Sequence, residues 1–303
     1  MGLFGSIFLD DIAPIFALAA VGFLLARVVG ANVKTLSTVS FHALSPCLVF
    51  NQLVTSRVGL GQSWRVVAFC VLMTAAIGVA ARIAAGALKL EGTTFSSFLL
   101  VVMFSNSGNY ALPVVLFAFG REALAFASVY FVASAIMVYT VGVFVAASGR
   151  SSLPMALRRV LHVPAVWGTV AAVVVLTTGL HVPDAVMRPV ALLSDAAIPV
   201  MLLVLGMQFE RHTAPEHPAA VASAVSLSLL LSPVLAFGLS SWLGLDGAAR
   251  QASVVEASMP AAVATTVLAL EFELDANFAT SVVIFSTLLS PFTLVALIAY
   301  LKG

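Results

Sequence analysis

Two short polar interruptions carry the residue types from which this chain could build a binding site. The first, Ser105-Asn106-Ser107-Gly108-Asn109-Tyr110, leads to Pro113 inside an otherwise apolar run. Glycine and proline prevent that run from being one regular helix, and backbone opened at membrane depth is tolerated only where it is buried in protein or lines a cavity. A half-helix starting after such a break presents free N–H groups and partial positive charge, which suits a carboxylate or phosphate. The simpler alternative is a proline kink whose freed carbonyls are satisfied by the neighbouring Ser and Asn. The second interruption, Glu256-Ala257-Ser258-Met259-Pro260, breaks another apolar run, and Pro260 follows Pro113 by 147 residues, close to half of 303. Paired breaks at corresponding positions of two half-chains point to the substrate site of a secondary transporter. The expected substrate-binding residues are therefore Ser105, Asn106, Ser107, Asn109, Tyr110, Pro113, Ser258 and Pro260. Asn51, just over one turn past Pro46, is expected to line the same cavity.

Three ionisable residues are candidates for ion coupling. Glu256 stands four residues before Pro260, and an acidic group inside a span is by default a proton or cation site. If the span starts later, Glu256 is instead an interfacial residue, paired or solvated. Asp195 stands four residues before Pro199; its alternative is an interfacial position at a helix N-terminus, favoured by the dipole. His42 stands four residues before Pro46 and titrates near neutrality; its alternative is a hydrogen-bonded packing role. Protons are the first choice of coupling ion, because tight Na⁺ sites need several oxygen ligands and carboxylates at this depth are few. Backbone carbonyls freed at a break keep Na⁺ open. No other cofactor and no metal is expected. No span holds a central Lys or Arg, so an anion must be held by dipoles, amides and hydroxyls, which argues against polyanions.

The elements that must position these residues follow from composition. The chain is 61% hydrophobic and 9% charged, with a mean hydropathy of +1.12, far from the roughly 25% charged residues of soluble domains. It reads as an all-α polytopic membrane protein. A net charge of +1 and the lack of a Lys/Arg cluster exclude a nucleic-acid partner. Cys47 and Cys70 lie inside apolar runs with neither metal-ligand nor disulfide spacing, and read as packing residues. Asp10 and Asp11 precede the first apolar run where a signal peptide would carry positive charge, so that run is expected to be a retained span.

Hydropathy gives ten runs, near 12–29, 36–54, 65–88, 95–119, 123–147, 164–180, 188–208, 218–242, 250–270 and 277–300. The polar stretch around Arg150, Arg158 and Arg159 divides them into two sets of five: a first unit at 1–148, a loop at 149–162 and a second unit at 163–303. Prolines recur across the divide, Pro14 with Pro164, Pro46 with Pro199 and Pro113 with Pro260, and Phe126-Ala127 is answered by Phe278-Ala279. An odd number of spans per unit makes the second unit enter the membrane from the opposite side, an inverted repeat. With both termini outside, Arg27, Lys34, Arg82, Lys89, Arg150, Arg158, Arg159 and Arg211 lie inside. Arg57, Arg65, Arg121, Arg188, Arg250 and Lys302 then lie outside, and eight basic residues against six favours this orientation.

At this point a resemblance covers nearly the whole chain. Ala257-Ser258-Met259-Pro260, Leu268 to Phe272 and Val282 to Leu294 resemble the ninth and tenth spans of the auxin efflux carrier family, which includes the plant PIN carriers and bacterial relatives. Leu193 to Ala197 with Leu205-Gly206-Met207 resembles its seventh span. Leu112-Pro113 with Phe119-Gly120 resembles its fourth, and Ser45 to Phe50 its second. The resemblance implies ten spans in two inverted repeats, with the fourth and ninth crossing at prolines corresponding to Pro113 and Pro260. It also implies a scaffold and a transport domain, an elevator-like movement, and a small organic anion such as an auxin-like carboxylate or a dicarboxylate. The short central loop lacks the long insert of many plant PIN carriers, so a bacterial relative in the inner membrane is expected. The expected partners are the organic anion and the lipid bilayer, and a homodimer is compatible with the sequence. A membrane-embedded sensor that binds without transport is the competing reading. An intramembrane enzyme lacks any metal-binding or nucleophile motif here.

Overall fold

Lacking water to satisfy its polar groups, backbone inside a bilayer must pair with itself, and this composition answers with helices. A computed structural model of the chain describes residues 3–55, 60–147, 161–210 and 217–303. Most of the expected central loop therefore lies outside the described residues. Helix α1 runs Phe4–Val29. Helix α2 runs from Val33–Val39 through Ser40–Leu44 into Ser45–Thr55, and α3 is Leu60–Ala87. Then come α4 (Gly92–Met103), α5 (Ser107–Ala146), α6 (Pro164–Thr178) and α7 (Asp184–Met207). The remainder are α8 (Pro218–Trp242), α9 (Gly247–Ala257), α10 (Val263–Glu271) and α11 (Ala276–Lys302). Six of these, α1, α3, α5, α7, α8 and α11, are long and apolar enough to cross a membrane. The chain is thus an all-helical integral membrane protein.

Helix α5 is not straight. Gly120 has φ 81° and ψ −168°, a conformation essentially restricted to glycine, and it divides α5 into pieces at 107–119 and 121–146. This is where the sequence separates its fourth and fifth apolar runs.

Packing is organised in two groups that meet where α5 contacts α1, α2 and α7. Helix α1 lies along α7, and α2 along α6 and α7. Helices α3, α4, α5, α8, α9 and α11 pack on one another, with α9 against α5 and α11 against α4 and α8. The α1–α7 contact depends on Gly22 and Gly206. A Cβ on Gly206 would overlap the carbonyl oxygen of Ala19, and one on Gly22 that of Leu203. Small residues at such crossings let backbones approach closely, which is how membrane helices gain packing energy without a hydrophobic driving force. Gly206→Ala must push α1 and α7 apart, at a cost of roughly 2–3 kcal/mol. We expect a clearly lowered melting temperature for detergent-purified Gly206→Ala; an unchanged one would contradict this account of the crossing.

Candidate functional site

The two polar interruptions meet. Helix α4 ends at Met103, and Phe104 continues in extended conformation (φ −120°, ψ 108°). Helix α9 ends at Ala257, and the chain through Ala262 is not helical. The two openings pair antiparallel at Ser105 and Ala261. The Asn106 N–H donates to the Pro260 carbonyl at 2.8 Å, and the Ala262 N–H to that of Phe104 at 2.9 Å. The Ala261 N–H donates to Ser286 Oγ of α11 at 3.2 Å. Each break thus supplies the partners that the other lacks, which lets opened backbone persist in the interior. Pro260 has no N–H to leave orphaned, and its carbonyl is used. After the meeting point, α5 and α10 begin at Ser107 and Val263, so two helix N-termini start beside it.

A polar cluster surrounds this junction. Glu256 has no exposed surface, and among the described residues neither carboxyl oxygen has a hydrogen-bond partner. The Tyr130 and Cys70 side chains lie near it. Ser253 Oγ, Ser228 Oγ and Asn106 Nδ2 are also buried without partners. A cavity of about 10 Å³ lies among Thr74, Ser105, Tyr130, Ser228 and Ser232, about the room one water needs.

A much larger opening lies on one side, bounded by residues next in sequence to those of the junction. A cleft of about 1000 Å³ separates the ends of α1 and α7 and the start of α2 from α10 and the first half of α11. Its walls include Asn32, Lys34, Ser37 and Gln208 on one side, and Thr266, Asn277, Thr280 and Thr287 on the other. Among the described residues, Lys34 is the one charged residue in the lining. The cleft runs from Asn277, in the first turn of α11, to Thr287, about 15 Å deeper at 1.5 Å per residue. Thr287 neighbours Ser286, which holds the junction, and Val263 at the cleft wall follows directly on Ala262.

The expected site residues divide by position. Ser105, Asn106, Ser258 and Pro260 lie at the junction. Ser105 is half-buried and Asn106 buried, and Ser258 Oγ donates to the Val254 carbonyl at 2.6 Å. Ser107 is buried and Asn109 half-buried in the first turn of α5. Tyr110 is fully buried, with its hydroxyl 2.9 Å from Ser290 Oγ and its ring edge-on to Phe16. Pro113 sits in the first turn of the α-helical part of α5, well past the opening, whereas Pro260 sits at its own. Asn51 is buried and donates from Nδ2 to Ser194 Oγ at 3.2 Å, tying α2 to α7. Asp195 is exposed on α7 and His42 exposed on α2, with His42 Nδ1 3.1 Å from the Thr38 carbonyl. None of the expected site residues is in the wall of the large cleft. The sequence reading did not single out Thr266, Asn277, Thr280 or Thr287. The signal was there: Asn277, Thr280 and Thr287 recur on one face of a helix within an apolar run.

A family model described as membrane transport protein matches residues 7–298. An uncharacterised transporter of Methanothermobacter thermautotrophicus is 27% identical over 288 residues, covering 93% of this chain and 94% of that one. A Rhizobium meliloti protein, provisionally named a malonate transporter, is 25% identical over 306 residues, 96% of this chain and 95% of its own. A rice protein (Oryza sativa subsp. japonica), provisionally named auxin efflux carrier component 1b, is 26% identical over 153 residues. That match covers 48% of this chain and 28% of the rice protein.

Proposed function

The chain belongs to the membrane transport protein family, that of the auxin efflux carriers, and from that premise we propose that it is a secondary carrier of a small organic anion, a mono- or dicarboxylate. The observation that carries this reading is the cleft of about 1000 Å³ whose wall includes Val263 and Thr287, each next in sequence to a residue that holds the junction of the two broken segments. Two helix N-termini, the hydroxyls and amides near them, and Lys34 in the cleft wall suit a carboxylate. The malonate named for the Rhizobium meliloti relative is of this chemistry.

In this reading the chain crosses the membrane ten times. Helix α4 and α5 as far as Gly120 form the fourth crossing, the rest of α5 the fifth, and α9 with α10 the ninth. The fourth and ninth cross at Ser105 and Ala261. The two halves, 1–148 and 163–303, are inverted repeats: α1 of the first half packs on α7, the second helix of the other half, and α6 packs on α2 in the same way. Helices α1, α2, α6 and α7 form a scaffold. The remaining helices carry the substrate past it in an elevator-like movement, and Glu256 couples that movement to protons. Both termini lie outside the bacterial inner membrane, and the cleft opens to the cytoplasm.

Binding and flux test this reading together. Thermal unfolding in the presence of mono- and dicarboxylates, with and without Na⁺, identifies the anion, because a ligand at a hundred times its Kd stabilises by about 2.7 kcal/mol. That anion is expected to enter proteoliposomes saturably. Binding without flux would instead identify a sensor. Asn109→Ala removes an amide from the first turn of α5 and is expected to weaken that binding by about 1.5–3 kcal/mol, roughly ten- to a hundredfold. An unchanged Kd in folded Asn109→Ala places the anion elsewhere.

A further inference from the structure

Helices α1 and α11 touch at one end and part at the other. At the parted end they line the cleft, through Ala26 on α1 and Gly30 just past its end, and through Ala276 to Thr287 on α11. At the touching end the first turns of α1 pack on α11, and Lys302 Nζ donates to Asp11 Oδ2 at 2.5 Å. Asp11 is buried, with 5% of its surface exposed, while Lys302 keeps about a third of its side chain in solvent, at 32%.

The two residues belong to different packed groups. Asp11 is held on α1, which Gly22 and Gly206 lock against α7. Lys302 is held on α11, which is tied to α9 by the Gln251 amide donating to the Leu301 carbonyl at 3.2 Å. Helix α11 is also tied to the junction by Ser286, and to α4 by Thr94 Oγ1 donating to Asp275 at 2.8 Å. A buried carboxylate deprived of its cation is costly unless water reaches it. The pair therefore separates only when its end of the α1–α11 contact opens. Because the two helices meet there while the cleft stands open at their other ends, one contact can bias which side is accessible. A contact made in only one of two states shifts the population by its differential free energy.

We infer that the Asp11–Lys302 pair is a latch that closes one side of the protein and thereby holds the cleft open on the other. This rests on the carrier reading, but its test needs no substrate, so failed flux and a failed latch are separate results. Single cysteines are placed at Thr280, in the cleft, and at Ile7, buried in the turn that packs on α11. Their labelling by a water-soluble maleimide is followed in detergent, and the labelling of the parent chain, with Cys47 and Cys70, is subtracted. Each is combined with Asp11→Asn and separately with Lys302→Gln.

Loss of the pair is expected to slow labelling at Thr280→Cys at least threefold and to speed it at Ile7→Cys by a similar factor, in both neutralised variants. General loosening of the fold would instead speed both. Unchanged rates, or rates that move in the same direction at the two positions, would overturn the latch.

Discussion

Proteoliposomes containing Glu256→Gln are expected to bind the carboxylate but to lose its accumulation against a gradient when only a pH difference drives transport. The Glu256 side chain has no exposed surface, and neither of its oxygens has a partner among the described residues. An ionised carboxylate in that setting is expensive, whereas the neutral acid is tolerated. An amide matches the neutral acid in size, so the fold and the empty or loaded site should survive the substitution. What it removes is the capacity to take up and release a proton. A pH difference of one unit supplies about 1.4 kcal/mol per proton, enough for about tenfold accumulation. The wild type should approach that ratio, and Glu256→Gln should stay near equal concentrations on the two sides. If Glu256→Gln accumulates substrate with the wild-type dependence on the pH gradient, the residue is structural. If a Na⁺ gradient drives the wild type and a pH gradient does not, the coupling ion has been misassigned.

The second large effect is expected at the floor of the cleft. Val263 is half-buried in the first turn of α10 and contributes to the cleft wall, one residue past the Ala262 N–H that pairs with Phe104. An indole there projects into open space rather than into a packed core, so Val263→Trp should unfold near the wild-type temperature. It should also fill the cleft beside the junction, obstructing the passage the anion is proposed to take, and lower the initial rate of uptake by at least tenfold. Val263→Ala, which leaves the passage clear, is expected to retain most of the rate. Uptake by folded Val263→Trp within twofold of wild type would mean that the anion reaches the junction by another route.

Much of the fold was legible because membrane helices announce themselves by length and apolarity, and because each break combines polar residues with glycine or proline. The boundary at Gly120 coincides with a gap between apolar runs. The exact opening of the fourth segment was less legible. Pro113 looked like its cause, yet a proline is comfortable in the first turn of a helix, where its missing N–H leaves no bond unmade. It marks where the half-helix has resumed, not where the chain opens. Pro260 does mark an opening, because its carbonyl is taken by Asn106, a contact 154 residues away along the chain. Asp195 and His42 share with Glu256 the spacing of four residues before a proline, but spacing alone does not fix which way a helix face points. Glu256 turns inward; the other two turn outward. The cleft could not be read at all, since its walls come from the ends of α1 and α7, the start of α2, and α10 with α11. Lys302 and Asp11, 291 residues apart, had no signal linking them.

Counterflow distinguishes a carrier with alternating access from a protein that only binds or leaks. Proteoliposomes are preloaded with a high concentration of the unlabelled carboxylate that best stabilises the protein, then diluted into a trace of the labelled compound with no ion gradient. A carrier exchanges one for the other, so the label should rise transiently inside well above its external concentration and then decay to equilibrium. Label that equilibrates without an overshoot, or that never enters although the protein binds it, would contradict the account.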